Sequence, residues 1–119
     1  MIKTISSEGY IGTMSEWATR VAPPNKSDWL ITLNNNNCLV EYWAPRIPDT
    51  QEPHDRDEVY IIIAGNADFD MDGQLRSVTQ GDLIFVPAGI SHRFVKFSTD
   101  LAMWIVFFGP RKSGFDPTP

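Results

Sequence analysis

The chain has a single cysteine, Cys38, and only two histidines, His54 and His92, among 119 residues. One cysteine cannot close an internal disulfide. Nothing therefore suggests an oxidising compartment, and a cytoplasmic setting is expected. No apolar run reaches the roughly 18 residues that a membrane helix needs. The longest, 101–109, has the length of a strand. The opening residues MIKTISSEGY lack the apolar block of a secretory signal. Basic residues are sparse too. Ten Lys and Arg against fifteen Asp and Glu leave a net charge of −5, and the basic residues are scattered. That excludes nucleic acid and anionic membranes as partners, because both need clustered cations. The same balance disfavours a highly anionic substrate.

Turn residues and β-formers are what the chain does have. Gly or Pro recurs from 65 to 89 and leaves no helical period of apolar residues. Segments 28–32, 38–44, 58–64, 67–71, 74–78, 82–86, 92–97 and 101–108 carry β-branched and aromatic residues. Asp72-Gly73 is a tight-hairpin signal. The Asn34–Asn37 run reads as a hairpin loop. Short strands joined by short turns predict an all-β fold, an antiparallel sandwich or small barrel. Thr13 followed by Glu16 has capping-box spacing, so at most one short N-terminal helix is expected, over 14–20. Pro23-Pro24 ends it. The chain divides into an N-terminal arm (1–27) that packs on the barrel or on a partner subunit, the barrel itself (28–109), and a loose tail (110–119) rich in Pro and Gly.

The segment QEPHDRDEVYIIIAG, residues 51–65, concentrates the polar chemistry. If it is extended, Glu52, His54 and Glu58 share one face, followed by Tyr60 and Ile62, because strand side chains alternate. Val59, Ile61 and Ile63 then make the other face apolar as well, which implies cover from a second sheet or a second subunit. Two carboxylates and an imidazole turned inward need compensation, and a divalent cation supplies it. The same residues, held only by hydrogen bonds, are the alternative. His92, the other histidine, begins a strand just after a Pro-x-Gly turn.

These residues resemble the cupin superfamily, as a small single-domain cupin of the conserved-barrel type. The family's first motif runs Gly, five residues, His-x-His, three or four residues, Glu, six residues, Gly. Here His54, Glu58 and Gly65 fall in place. Its second motif runs Gly, five residues, Pro-x-Gly, two residues, His, three residues, Asn, and here Gly81, Pro87, Gly89 and His92 match. Arg46, Glu52 and Lys96 replace the first Gly, the first His and the final Asn. The resemblance implies an antiparallel double-sheet jelly-roll barrel. It also implies metal ligation by His54, Glu58 and His92, with Fe, Mn, Zn or Ni as the ion.

Glu52 is not carried over by the family. Parity and chemistry alone offer it as a fourth ligand, while its PDTQEP setting reads as loop facing solvent. It is also a candidate acceptor behind the ligands or a general base, and Gln51 is an amide alternative for the same position. Tyr60, Phe94 and Trp104 are expected to wall the pocket or fill the core. Lys96 shares the parity of His92 and Phe94, so it either meets an anionic ligand inside or extends to water. Trp17, Trp29 and Trp43 lie outside the motifs and suggest a subunit interface, so a homodimer is expected. The functional expectation is a metal-dependent dioxygenase, isomerase or decarboxylase acting on a small polar metabolite. The alternative is a non-catalytic cupin that binds a sugar or metabolite at a degenerate metal site.

Overall fold

The chain forms one helix and eight strands in a computed structural model that describes residues 9–21 and 28–111. The helix α1 (Met14–Val21) precedes β1 (Trp29–Asn34), β2 (Cys38–Trp43), β3 (Asp57–Ala64), β4 (Asn66–Met71), β5 (Gln74–Thr79), β6 (Leu83–Val86), β7 (His92–Phe97) and β8 (Ala102–Phe108). Every strand pairing is antiparallel. One sheet runs β1-β2-β8-β3-β6 and the other β5-β4-β7. This is the expected double-sheet jelly roll. Pro23-Pro24, the arm before residue 9 and the tail after Arg111 lie outside the described residues.

Local chemistry explains the punctuation. The Thr13 N–H donates to Glu16 Oε1 at 2.7 Å and the Glu16 N–H returns to Thr13 Oγ1 at 3.3 Å, so the capping box starts α1. Asp72 and Gly73 both take positive φ, 52° and 87°, as a type I′ hairpin turn requires. In the Asn loop, Asn35 Oδ1 accepts the N–H groups of Asn37 and Cys38, replacing bonds that a longer ladder would make.

Alternation along β3 and β8 builds the core. Tyr60 and Ile62 meet Met103, Ile105 and Phe107 from β8, Phe69 from β4 and Phe94 from β7 between the sheets. Each such side chain contributes roughly 1.5–3 kcal/mol by leaving water. The outer face of the larger sheet is apolar too, as expected. Trp17 and Val21 of α1 cover part of it by packing on Leu30, Tyr42 and Ala102.

Three irregularities break the alternation. One decides a site residue: between Asp68↔Lys96 and Phe69↔Phe94 the register shifts, leaving Val95 as an extra residue in β7. A bulge of this kind reverses side-chain parity beyond it. Phe97 therefore packs against the core and Lys96 faces solvent.

Candidate metal centre

Two histidines and a glutamate meet at one end of the barrel, between the sheets. Glu58 is the second residue of β3 and faces inward. His92 opens β7 in the opposite sheet. His54 lies in the irregular segment that leads into β3. The Pro87–Gly89 turn ties these pieces together: the Gly89 N–H donates to the His54 carbonyl at 2.9 Å, and the Ala88 N–H to Asp57 Oδ1 at 2.8 Å. Gly89 makes the turn at φ +84°, a conformation that suits glycine.

The three side chains are buried, and one donor atom from each lies within 4.8 Å of the others. His54 Nδ1 stands 2.8 Å and His92 Nε2 3.0 Å from the same oxygen, Glu58 Oε1. His92 Nδ1 lies 2.8 Å from the Ile90 carbonyl, to which it must donate. That bond fixes the ring and turns Nε2 inward. Burial alone would raise the Glu58 pKa, but hydrogen bonds from both imidazoles outweigh it and hold the carboxyl below the usual range. Burial likewise works against charge on His92. The Glu58 bond and charge prevail and raise its pKa. Carboxylate and imidazolium thus stabilise one another.

This hydrogen-bonded arrangement leaves atoms unused. Glu58 Oε2 and His54 Nε2 are buried without a hydrogen-bond partner, and His92 Nε2 has only its 3.0 Å contact with Glu58 Oε1. Unused lone pairs in a buried cluster whose ligand atoms lie within 4.8 Å of one another suit a cation. Two imidazoles and a carboxylate are a donor set for non-haem iron and related divalent ions.

Aromatic rings close the surroundings. Phe107 meets the His54 ring edge-on at 5.0 Å, and Tyr60 and Phe69 lie 6.0 and 6.3 Å from the His92 ring. Phe94 packs on Tyr60 and Phe69. The Tyr60 hydroxyl donates to Gln51 Oε1 at 3.3 Å. Asp49 braces that amide at 2.8 Å and also accepts the Phe94 N–H at 2.9 Å, so it links the loop to β7.

Three expected site residues stand elsewhere. Glu52 is exposed and faces Arg93 at 3.8 Å. The parity argument fails for it because residues 44–56 are not strand; β3 begins only at Asp57. Gln51 is the neighbour that turns inward. Lys96 faces solvent for the reason of the bulge. Trp104 lies on the outer face of β8, edge-on to Trp17 and Tyr42, because Met103, Ile105 and Phe107 take the inner parity.

The sequence reading also missed Glu41. It sits on β2 between Leu39 and Trp43 on the inner face, 3% exposed, with Oε2 unpartnered. Burial, reinforced by the Glu58 charge, raises its pKa to about 7. Its parity with Leu39 and Trp43 was the available signal. Glu41 and Phe107 separate two cavities. One of about 530 Å³ is lined by Leu39, His54 and Arg56 among others. The second, about 240 Å³, is lined by Trp43, Asp49 and Gln51.

Known proteins share this plan. Residues 40–108 match the family described as Cupin domain. The chain is 39% identical over 88 residues to an uncharacterised protein of Streptomyces coelicolor, spanning 72% of this chain and 84% of that one. It is 44% identical over 67 residues to the acireductone dioxygenase of Drosophila melanogaster, covering 50% of this chain and 36% of that protein. Among solved structures, KdgF from Halomonas sp. superposes with a TM-score of 0.61 at 19% identity, over 70% of this chain and 78% of KdgF. With two antiparallel sheets, His54, Glu58 and His92 of the two motifs brought together and a family match over more than half its length, the chain belongs to the cupins.

Proposed function

We propose that this cupin holds a divalent metal ion on His54, Glu58 and His92 and acts there on a small polar metabolite. The observation that carries the reading is the convergence of Glu58 and His92 from the two sheets with His54 from the segment before β3, with buried donor atoms left over. The stretch shared with acireductone dioxygenase supports an enzyme over a passive binder. Bound, the metal would supply Lewis acidity or activate O₂.

The chain's own residues do the rest. Glu58 and His92 must give up the proton between them for both to ligate, so binding releases protons. The Ile90 carbonyl keeps the His92 ring oriented. Phe107, Tyr60 and Phe69 exclude water from the inner side, which strengthens polar interactions there. Three protein ligands, rather than four, leave positions open for a substrate. A cytoplasmic homodimer completes the reading, consistent with the free thiol of Cys38 and an apolar outer sheet face.

Metal analysis of protein purified without added metal tests this. About one equivalent per chain is expected, and His54→Ala should lose it while its circular dichroism stays that of the folded barrel. The reading fails if the native protein carries no metal and gains no thermal stability from added Fe, Mn, Zn or Ni, because a ligand of the folded state must raise Tm.

A further inference from the structure

Among the described residues, the buried polar atoms without partners are not scattered. Beyond the three metal-site residues, they are Oε2 of Glu41 and Nε of Arg56, and both residues line the 530 Å³ cavity that adjoins His54. Arg56 is 8% exposed. One terminal nitrogen donates to the Asn36 carbonyl at 3.1 Å, but no carboxylate among the described residues lies within ion-pair distance of the guanidinium. A second cation on the wall is already occupied: Arg111 donates to both oxygens of Asp55, at 2.9 and 2.8 Å. That pair leaves Asp55 committed. Burial raises the pKa of the other acid on the wall, Glu41, to about 7, so it is only partly ionised at neutral pH.

A buried cation without an anion is costly, and its planar fork matches a carboxylate. We propose that this cavity is the substrate cavity and takes a small carboxylate, held by the Arg56 guanidinium beside the metal centre. The inference rests on the metal-centre reading for its chemistry. One uncommitted cation suits a singly charged carboxylate better than a phosphate dianion. The protonated fraction of Glu41 adds a donor on the same wall. A singly charged carboxylate is compatible with the overall charge of −5, which disfavours only a highly anionic substrate.

Acetate, pyruvate and succinate, each compared with its amide, are the probes. They are added to protein dialysed free of metal, so the result does not depend on the ion. At least one carboxylate should raise Tm by about 3–6 °C at ten times its Kd, with its amide inert. The shift should shrink in Arg56→Lys, which lacks the fork, and vanish in Arg56→Gln. If Arg56→Gln does not fold, the arginine Nε–H resonance of the native protein decides, assigned by its loss in Arg56→Lys; it should move on adding the carboxylate. Equal response to acids and amides, a full shift in folded Arg56→Gln, a stationary Nε–H resonance, or a larger shift with inorganic phosphate would each overturn the proposal. A failure here leaves metal uptake untouched. Absence of metal uptake, conversely, would leave the carboxylate shift intact.

Discussion

Glu41 is an acid in a place built for apolar side chains. Folding removes its carboxyl from water, and its proton is retained to about pH 7, against 4.5 in an unfolded chain. The native state therefore binds more protons between those values, so stability falls as pH rises through that window. A shift of this size corresponds to about 3 kcal/mol. Glu41→Gln removes the charge and should make the metal-free protein more stable than wild type at pH 8.5, by up to about that amount, with no gain at pH 4.5 or below. Urea melts at the two pH values check it. Identical differences at both would show that Glu41 ionises as freely in the fold as in water.

At this scale the sequence was an uneven guide. His54, Glu58 and His92 were legible because two spaced motifs name them, and the structure brings all three together. Glu52 was read by alternation through a stretch that is not a strand. Lys96 was read by alternation through a bulge. The inward alternatives for both fail for one cause, since period-two reasoning holds only while the ladder is regular, and the solvent-facing alternatives are the ones the structure shows. Glu41 and Arg56 carry no motif. Their significance comes from a buried atom on each, Glu41 Oε2 and Arg56 Nε, left without a partner, which only the assembled barrel reveals.

Elements were far more legible than residues. All eight strands and the helix lie within about two residues of the boundaries expected from β-formers, turn pairs and the capping box. Gly65 shows how much one turn between β3 and β4 depends on its glycine. It sits at φ +81°, and a Cβ there would lie 2.5 Å from Ser98 Oγ and 2.8 Å from the backbone of Leu101. Gly73 has a similar φ of +87° with nothing within 4 Å. Gly65→Ala should cost about 2–4 kcal/mol, the sum of left-handed strain and overpacking, whereas Gly73→Ala should cost about 1–2 kcal/mol from strain alone. Thermal or urea melts of the two variants separate the contributions. Equal losses would mean that the Ser98–Leu101 loop yields and that only backbone strain matters.

At the scale of the whole molecule, the described residues cover only part of the larger sheet's outer face. Helix α1 sits over Tyr42 and Trp104. Beyond it, Leu83 (63% exposed) and Phe85 (47%) on the edge strand β6 stand beside Phe108 of β8, with the Phe85 and Phe108 rings 6.4 Å apart. Half-buried Val59, Ile61 and Val106 extend the same surface. An apolar strip of this kind on a chain of net charge −5 marks an interface more than a solvated face. The homodimer proposed above would place a second copy here, because a two-fold axis lets one strip bury itself against its twin and leaves no open contact. Light scattering should therefore give twice the chain mass for the wild type. Phe85→Glu, which places a charge at the centre of the strip and disturbs no core residue, should give the mass of one chain with an unchanged melting profile of the monomer barrel. A wild type that scatters as a monomer at tens of micromolar would remove the dimer and leave the strip to a different partner. A Phe85→Glu variant that stays dimeric would move the interface elsewhere, to the arm around Tyr10 and Ile11, whose side chains are also exposed.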